Sequence, residues 1–226
     1  MKITFYGHSC FEASAGGSKV LFDPFIRPNP AAAHIDITLL NPSIIAISHG
    51  HGDHLADAAE IANQSGATLV ANYEVATWFG NQGVKNTVGM NTGGKFSSGN
   101  VSLSLTQALH SSSLPDGSYG GNPNGIVLTI EGQTAYFAGD TDVFSDMKLI
   151  ADFYKPSFAF LPIGDLFTMG IDRAAWAAEI MGLKKVIGMH FDTFPPITID
   201  HAAAKAHFAS KGIELILMKI GESIEM

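Results

Sequence analysis

Seven consecutive residues, Ser48-His49-Gly50-His51-Gly52-Asp53-His54, constrain this chain more than any other feature. They follow an apolar run, Ser43–Ile47, bounded by turn signals, which reads as a strand buried on both faces. The chain then leaves the sheet and enters a helix while carrying three imidazoles and a carboxylate. His49 and His51 stand two apart, so an extended segment projects both rings to one side. Asp53 and His54 come as the backbone turns. Gly50 and Gly52 remove side-chain bulk and let the loop curl, so the four groups can converge. Zinc, manganese and iron all accept imidazole and carboxylate. A lone histidine here reads as a helix cap; three with an aspartate read as a metal site. Four protein ligands would close the coordination of one ion, so a hydrolytic site needs further ligands and a second ion.

Such ligands recur at the ends of other expected strands. His110 follows the alternating stretch Val101–Leu109, Asp140 follows Thr134–Ala138 within Gly139-Asp140-Thr141, and His190 follows Lys185–Met189. Each alone reads more readily as an ordinary loop residue. Together they repeat one geometry, ligands at the same end of successive strands, where open α/β architectures place their sites.

The rest of the chain fits a frame around these points. Strands are expected at Ile3–Tyr6, Cys10–Ala13, Lys19–Phe22, Thr68–Ala71, Ile126–Ile130, Phe158–Pro162 and Glu214–Leu217. Helices are expected at Leu55–Gln64, Tyr73–Phe79, Val143–Phe153, Asp172–Met181 with Asp172 as N-cap, and Asp200–Lys211. Phe25–Asn41, with two prolines, reads as an irregular excursion. Strand-rich halves that each finish with helices predict an α/β (α+β four-layer) fold, two packed sheets with helices outside, in one domain over residues 1–226.

Composition narrows the partners. The net charge is −8 and no basic run occurs, which disfavours nucleic acid. Cys10 is the sole cysteine, so an internal disulfide and a thiolate zinc knuckle are both excluded. Ala13-Ser14-Ala15 mimics a signal-peptidase site, but His8 and Glu12 interrupt the segment before it. With no apolar run of about 18 residues, no membrane association is expected and the default location is cytoplasmic. An apolar composition with Phe-rich loops leans toward homo-oligomerisation.

The ordered set of motifs resembles the metallo-β-lactamase superfamily. Gly7-His8-Ser9-Cys10-Phe11, Asp23-Pro24-Phe25, Ala138-Gly139-Asp140-Thr141, Leu161-Pro162-Ile163-Gly164, Phe167-Thr168-Met169-Gly170 and Met189-His190-Phe191-Asp192-Thr193-Phe194-Pro195 are similar to its metal-dependent hydrolase family. Ascorbate-phosphate lactonases and N-acyl-phosphatidylethanolamine phospholipases D look like more distant relatives. The resemblance implies an αββα sandwich and a two-metal centre. His49, His51 and His110 would hold the first ion, Asp53, His54 and His190 the second, and Asp140 would bridge. Zinc is the first choice of metal, with manganese or iron as alternatives. Classical β-lactamases of the fold usually carry cysteine near the Gly-Asp position, where this chain has Asp140, which counts against an antibiotic-destroying enzyme.

Two divalent ions can lower the pKa of a shared water to near 7. The expected function is therefore hydrolysis of a small ester, lactone or phosphodiester, with Asp53 orienting the nucleophile. Two divalent ions, one hydroxide and two aspartates leave a formal charge of +1, a sign that tolerates an anionic small-molecule substrate. The alternative is a non-catalytic metal-binding or ligand-sensing protein on the same fold. His8 reads either as a catalytic acid or substrate contact, or as a buried histidine bonded to backbone. Asp23 reads either as an outer partner of a metal-bound histidine or as a turn-forming Asp-Pro. Asp165 and Thr193 read as loop residues before pocket groups, His34 fits no ligand pattern, and His201 and His207 read as helix-surface residues. Candidate substrate loops are Phe25–Ile37, Ser111–Asn124 and Gly164–Ile171, with Phe167 and Met169 as apolar walls.

Overall fold

The computed structural model describes all 226 residues. The first half forms strands β1 Lys2–Gly7, β2 Cys10–Ala15, β3 Ser18–Phe22 and β4 Ile44–Ala46, then helices α1 Gly52–Leu55 and α2 Ala58–Ser65. Strand β5 Thr68–Asn72, helix α3 Tyr73–Asn81 and strand β6 Thr87–Met90 complete it. The second half forms β7 Lys95–Ser98, β8 Val101–Gln107, β9 Asn124–Ile130 and β10 Gln133–Phe137. Then come α4 Met147–Tyr154, β11 Phe158–Pro162, α5 Ile171–Met181 and β12 Lys185–Met189. Helix α6 His201–Ser210 and strands β13 Glu214–Ile216 and β14 Ser223–Glu225 close the chain.

Two seven-stranded sheets result, ordered β14-β1-β2-β3-β4-β5-β6 and β13-β12-β11-β10-β9-β8-β7. Each has an antiparallel side, built largely of hairpins, and a parallel side built of crossovers, β3 to β6 and β10 to β13. The alternation of β4 shows why its sequence is uniformly apolar. Ile44 and Ala46 face the core between the sheets, and Ile45 faces a second core under α2 and α3. Aromatic rings join the sheets: Phe22 stacks on Phe137 at 4.7 Å and Phe11 meets Phe160 at 4.8 Å, all essentially buried. Truncating one such ring to alanine costs about 3–5 kcal/mol. The four-layer αββα sandwich stands as expected, and no helix is long and apolar enough to cross a membrane.

Local differences have tertiary causes. The helix expected over Leu55–Gln64 is two helices, α1 and α2, because the buried Asp57 between them is used elsewhere. Its carboxylate accepts from the Ile26 and Arg27 amides at 2.6 and 3.0 Å and pins the irregular excursion. Helix α5 starts at Ile171 with Gly170 in the cap position, so Asp172 lies in its first turn. The aspartate suits the helix N-terminus there without capping it. Strand β8 ends at Gln107, not Leu109, because the chain turns toward Thr141, whose Oγ1 accepts from Leu109 N at 2.9 Å. Strands β8, β10 and β12 run in one direction, so their C-terminal ends share an edge.

Candidate metal centre

Four loops meet at that edge. The loop after β4 delivers His49, His51, Asp53 and His54, and the loops after β8, β10 and β12 deliver His110, Asp140 and His190. Ligand atoms of His49, His51 and His110 lie within 4.8 Å of one another, and so do those of His8, Asp53, His54 and His190. One oxygen joins the two groups. Asp140 Oδ2 stands 3.0 Å from His190 Nε2, 3.3 Å from His54 Nε2, 3.6 Å from His110 Nε2 and 3.9 Å from His49 Nε2. Asp53 Oδ2 reaches His190 Nε2 at 3.7 Å and His54 Nε2 at 3.9 Å.

The backbone is shaped for this convergence. Gly139, immediately before Asp140, has φ +62°, and a Cβ there would meet Asn124 O at 2.7 Å and Ser48 Cβ at 2.9 Å. No other residue fits. Gly50 is hemmed in by Ser112–Leu114, whereas a Cβ on Gly52 would meet nothing within 4 Å. The expectation that both glycines are needed for the loop therefore holds for Gly50 and not for Gly52.

Behind the ligands lies a hydrogen-bonded frame. Asp23, fully buried, accepts from Ser48 N at 2.8 Å, from Ser48 Oγ at 2.6 Å and from His54 Nδ1 at 2.8 Å. Of its two sequence readings, the partner of a cluster histidine is the one observed. Ser48 Oγ also contacts His49 Nδ1 at 2.9 Å. With Nδ1–H engaged by Asp23, His54 presents a bare Nε2, buried and without a hydrogen-bond partner, as is Asp140 Oδ1. Buried polar atoms are rarely left so. Orphaned lone pairs of one imidazole and one carboxylate, aimed into a His/Asp cluster, fit a divalent ion.

Electrostatics makes the same demand. Burial opposes charge on Asp140, yet His190 and His54 outweigh it and hold the carboxyl well below its usual range. Burial likewise opposes ionisation of Asp53, and His190 and His8 overcome it. Burial alone would keep His54 and His190 neutral. Asp140 instead pulls both upward, His190 to about 9. His49 goes the other way, held well below the imidazole range by burial and by His54. Two carboxylates, one buried and one partly exposed, thus draw positive charge into a group of imidazoles, and a bound metal would supply it while leaving the nitrogens free to bind.

Of the two readings of His8, the buried histidine is the one observed, with side-chain partners in place of backbone. It is buried, with no side-chain surface toward solvent, and its ring bonds side chains rather than backbone. Nε2 lies 3.1 Å from Asp53 Oδ2 and Nδ1 lies 2.8 Å from Thr193 Oγ1. Burial pushes its pKa down to about 4 despite the Asp53 bond, so the ring is neutral. Nε2 then carries the hydrogen toward Asp53, and Nδ1 accepts from Thr193. Its ring centroid sits 4.1 Å from that of His190, whose amide donates to His8 O at 2.9 Å.

A cleft of about 470 Å³ opens over the cluster, lined by His51, Asp53, His110, Asp140 and His190 together with Ser111, Phe167, Phe194 and Pro196. A larger hollow of about 680 Å³, beside Asp165, Asp172 and His207, contains none of the cluster residues. Ligand convergence, not size, marks the site. Met169 is fully buried and does not line the cleft, and neither does the Phe25–Ile37 excursion, which packs against α2. Asp165 and His34 are exposed away from the cluster, and His201 and His207 stay on α6. Ser48, Thr193, Phe194 and Pro196 have contacts that sequence reasoning missed. Ser48 opens the histidine motif, and the other three lie in the segment after β12.

With this geometry in view, the comparisons are decisive. The Beta-lactamase superfamily domain matches residues 18–191. A UPF0173 metal-dependent hydrolase of Methylacidiphilum infernorum is 46% identical over 224 residues, covering 99% of each chain. This chain belongs to the metallo-β-lactamase superfamily. A second UPF0173 metal-dependent hydrolase, from Flavobacterium johnsoniae, is 45% identical over the full length of both chains. The solved structure of Igni18, a metallo hydrolase from Ignicoccus hospitalis, superposes with a TM-score of 0.89 at 32% identity, covering 100% of this chain and 98% of that one. The chain is a metal-dependent hydrolase of that superfamily.

Proposed function

We propose that this superfamily member hydrolyses a small ester, lactone or phosphodiester at a two-metal centre. His49, His51 and His110 would hold one divalent ion and Asp53, His54 and His190 the other, with Asp140 shared between them. Zinc heads the candidates, followed by manganese and iron. Bound ions at such a site polarise a substrate oxygen and make a water nucleophile available near neutral pH.

The two carboxylates divide the remaining work by exposure. The Asp140 side chain is 2% exposed, so it is confined to the ligand cluster. The Asp53 side chain is 29% exposed and lines the cleft, so it can touch both the nucleophile and the substrate. His8 donates from Nε2 to Asp53 Oδ2 and holds that carboxylate in one orientation, while Thr193 fixes the ring from behind. On this reading His8 is a positioning residue, not an acid. One observation carries the proposal: imidazoles from three loops converge on a single oxygen of Asp140, which a fourth loop supplies.

The test is an assay of chelated and reconstituted protein against an aryl ester, a lactone and a phosphodiester. Turnover lost on chelation and restored by zinc, manganese or iron is the expected result. Protein with full metal content and no turnover of any of the three would favour the sensor reading instead.

A further inference from the structure

The walls of the cleft say what the substrate carries besides its reacting bond, an inference that rests on the hydrolytic reading above. None of the chain's 13 lysines and arginines lines the cleft. The non-ligand lining is Ser111, Phe167, Phe194 and Pro196, so one hydroxyl is the only neutral side-chain donor. Phosphoryl and carboxylate oxygens not taken by an ion are usually held by guanidinium, ammonium or converging amide donors. No such side chain is here. The apolar wall, in contrast, is built with care.

Phe167 is 52% exposed, at the tip of a turn whose Asp165 and Leu166 both have left-handed backbone, at φ +62° and +40°. Left-handed leucine is uncommon and persists only where its surroundings enforce it. Here Asp165 N donates to Met169 O at 3.1 Å, and Met169 N donates to Thr141 O at 3.2 Å, beside Asp140. The fully buried Met169 side chain anchors the turn. Phe194 also lines the cleft, its ring fixed against His8 at 5.6 Å and Phe25 at 6.3 Å. A cleft of this volume suits a small ligand.

The geometry points to an uncharged carboxylic ester or lactone whose planar, apolar group packs against Phe167 and Phe194. Water adds across the acyl bond: its oxygen bonds to the acyl carbon, the bond from that carbon to the ester oxygen breaks, and the leaving oxygen takes a proton. The products are a carboxylic acid, which ionises, and an alcohol; a lactone gives both on one molecule.

The test compares 4-nitrophenyl butyrate with 4-nitrophenyl hydrogen glutarate, which share a leaving group and differ in charge, and adds bis(4-nitrophenyl) phosphate. Metal-reconstituted protein should favour the neutral ester over the glutarate at least tenfold in kcat/KM. Phe167→Ala should raise KM for the neutral ester up to about tenfold with metal content unchanged. Phe153→Ala, an exposed phenylalanine outside the cleft, should leave it unaltered. A binding arm stands apart from turnover: 4-nitrobenzyl alcohol, titrated by NMR, should bind the wild type and bind Phe167→Ala several-fold more weakly. Equal or better turnover of the glutarate or the phosphodiester would overturn the inference and leave the hydrolase standing. So would a Phe167→Ala variant that keeps full affinity for the alcohol, or a wild type that does not bind it. Absence of all turnover with metal bound would remove the hydrolase reading, and the alcohol titration would then decide the cleft's preference alone.

Discussion

His54 and His190 lie almost wholly inside the protein, whereas His51 and His110 are half-buried at the cleft rim. The support behind them differs in step. At the buried end, Asp23 holds His54, and Thr193 and His8 hold Asp53. In the other group, the fully buried His49 has Ser48 behind it and meets His51 Nδ1 at 2.9 Å through Nε2, while His51 Nε2, at the rim, has only a 3.3 Å contact with Ser111. Asp140 Oδ2 also lies nearer to His190 and His54 than to His110 and His49. An ion at the buried end would therefore meet side chains held by more outer hydrogen bonds than an ion at the rim would. On the two-ion proposal, an ion at the rim is expected to exchange first.

The comparison can be broken at three strengths. Asp140→Asn removes charge from the oxygen shared by both ends. Metal affinity at both should fall beyond the roughly 100-fold that loss of an outer partner costs. Hydrolysis should vanish while circular dichroism shows the fold retained. Full activity with two ions bound would end the sharing role. Asp23→Asn weakens the acceptor behind His54 directly and reaches His49 only through Ser48. Affinity at the buried end should fall about 10–100-fold, and at the rim by less. Equal losses in a two-site chelator titration would erase the distinction. Ser111→Ala removes only a long rim contact, and a change above about threefold would mean that the rim is more ordered than its bonds indicate.

These outcomes bear on what a sequence can reveal. The clustering side chains were legible because they follow apolar runs, and a buried strand such as Lys185–Met189 has sharp chemical edges. Strands β6, β7 and β14 were not legible. They lie toward or at sheet edges, they are short, and Lys95–Ser98 is largely exposed. Their strand character comes from the neighbouring backbone they pair with, not from their own pattern. The frame behind the ligands was hidden for a related reason. His8 and Thr193 are 185 residues apart, and nothing local to either marks the bond between them. Asp57 broke an expected helix for the same kind of cause, since its partners Ile26 and Arg27 lie across the fold.

The central proposal is that one cluster would hold two ions with unequal grip. It is tested most directly by elemental analysis of zinc-reconstituted protein across a chelator titration. The account predicts about two ions per chain, the first lost well before the second. Saturation at one ion per chain, or no binding above trace, would contradict it.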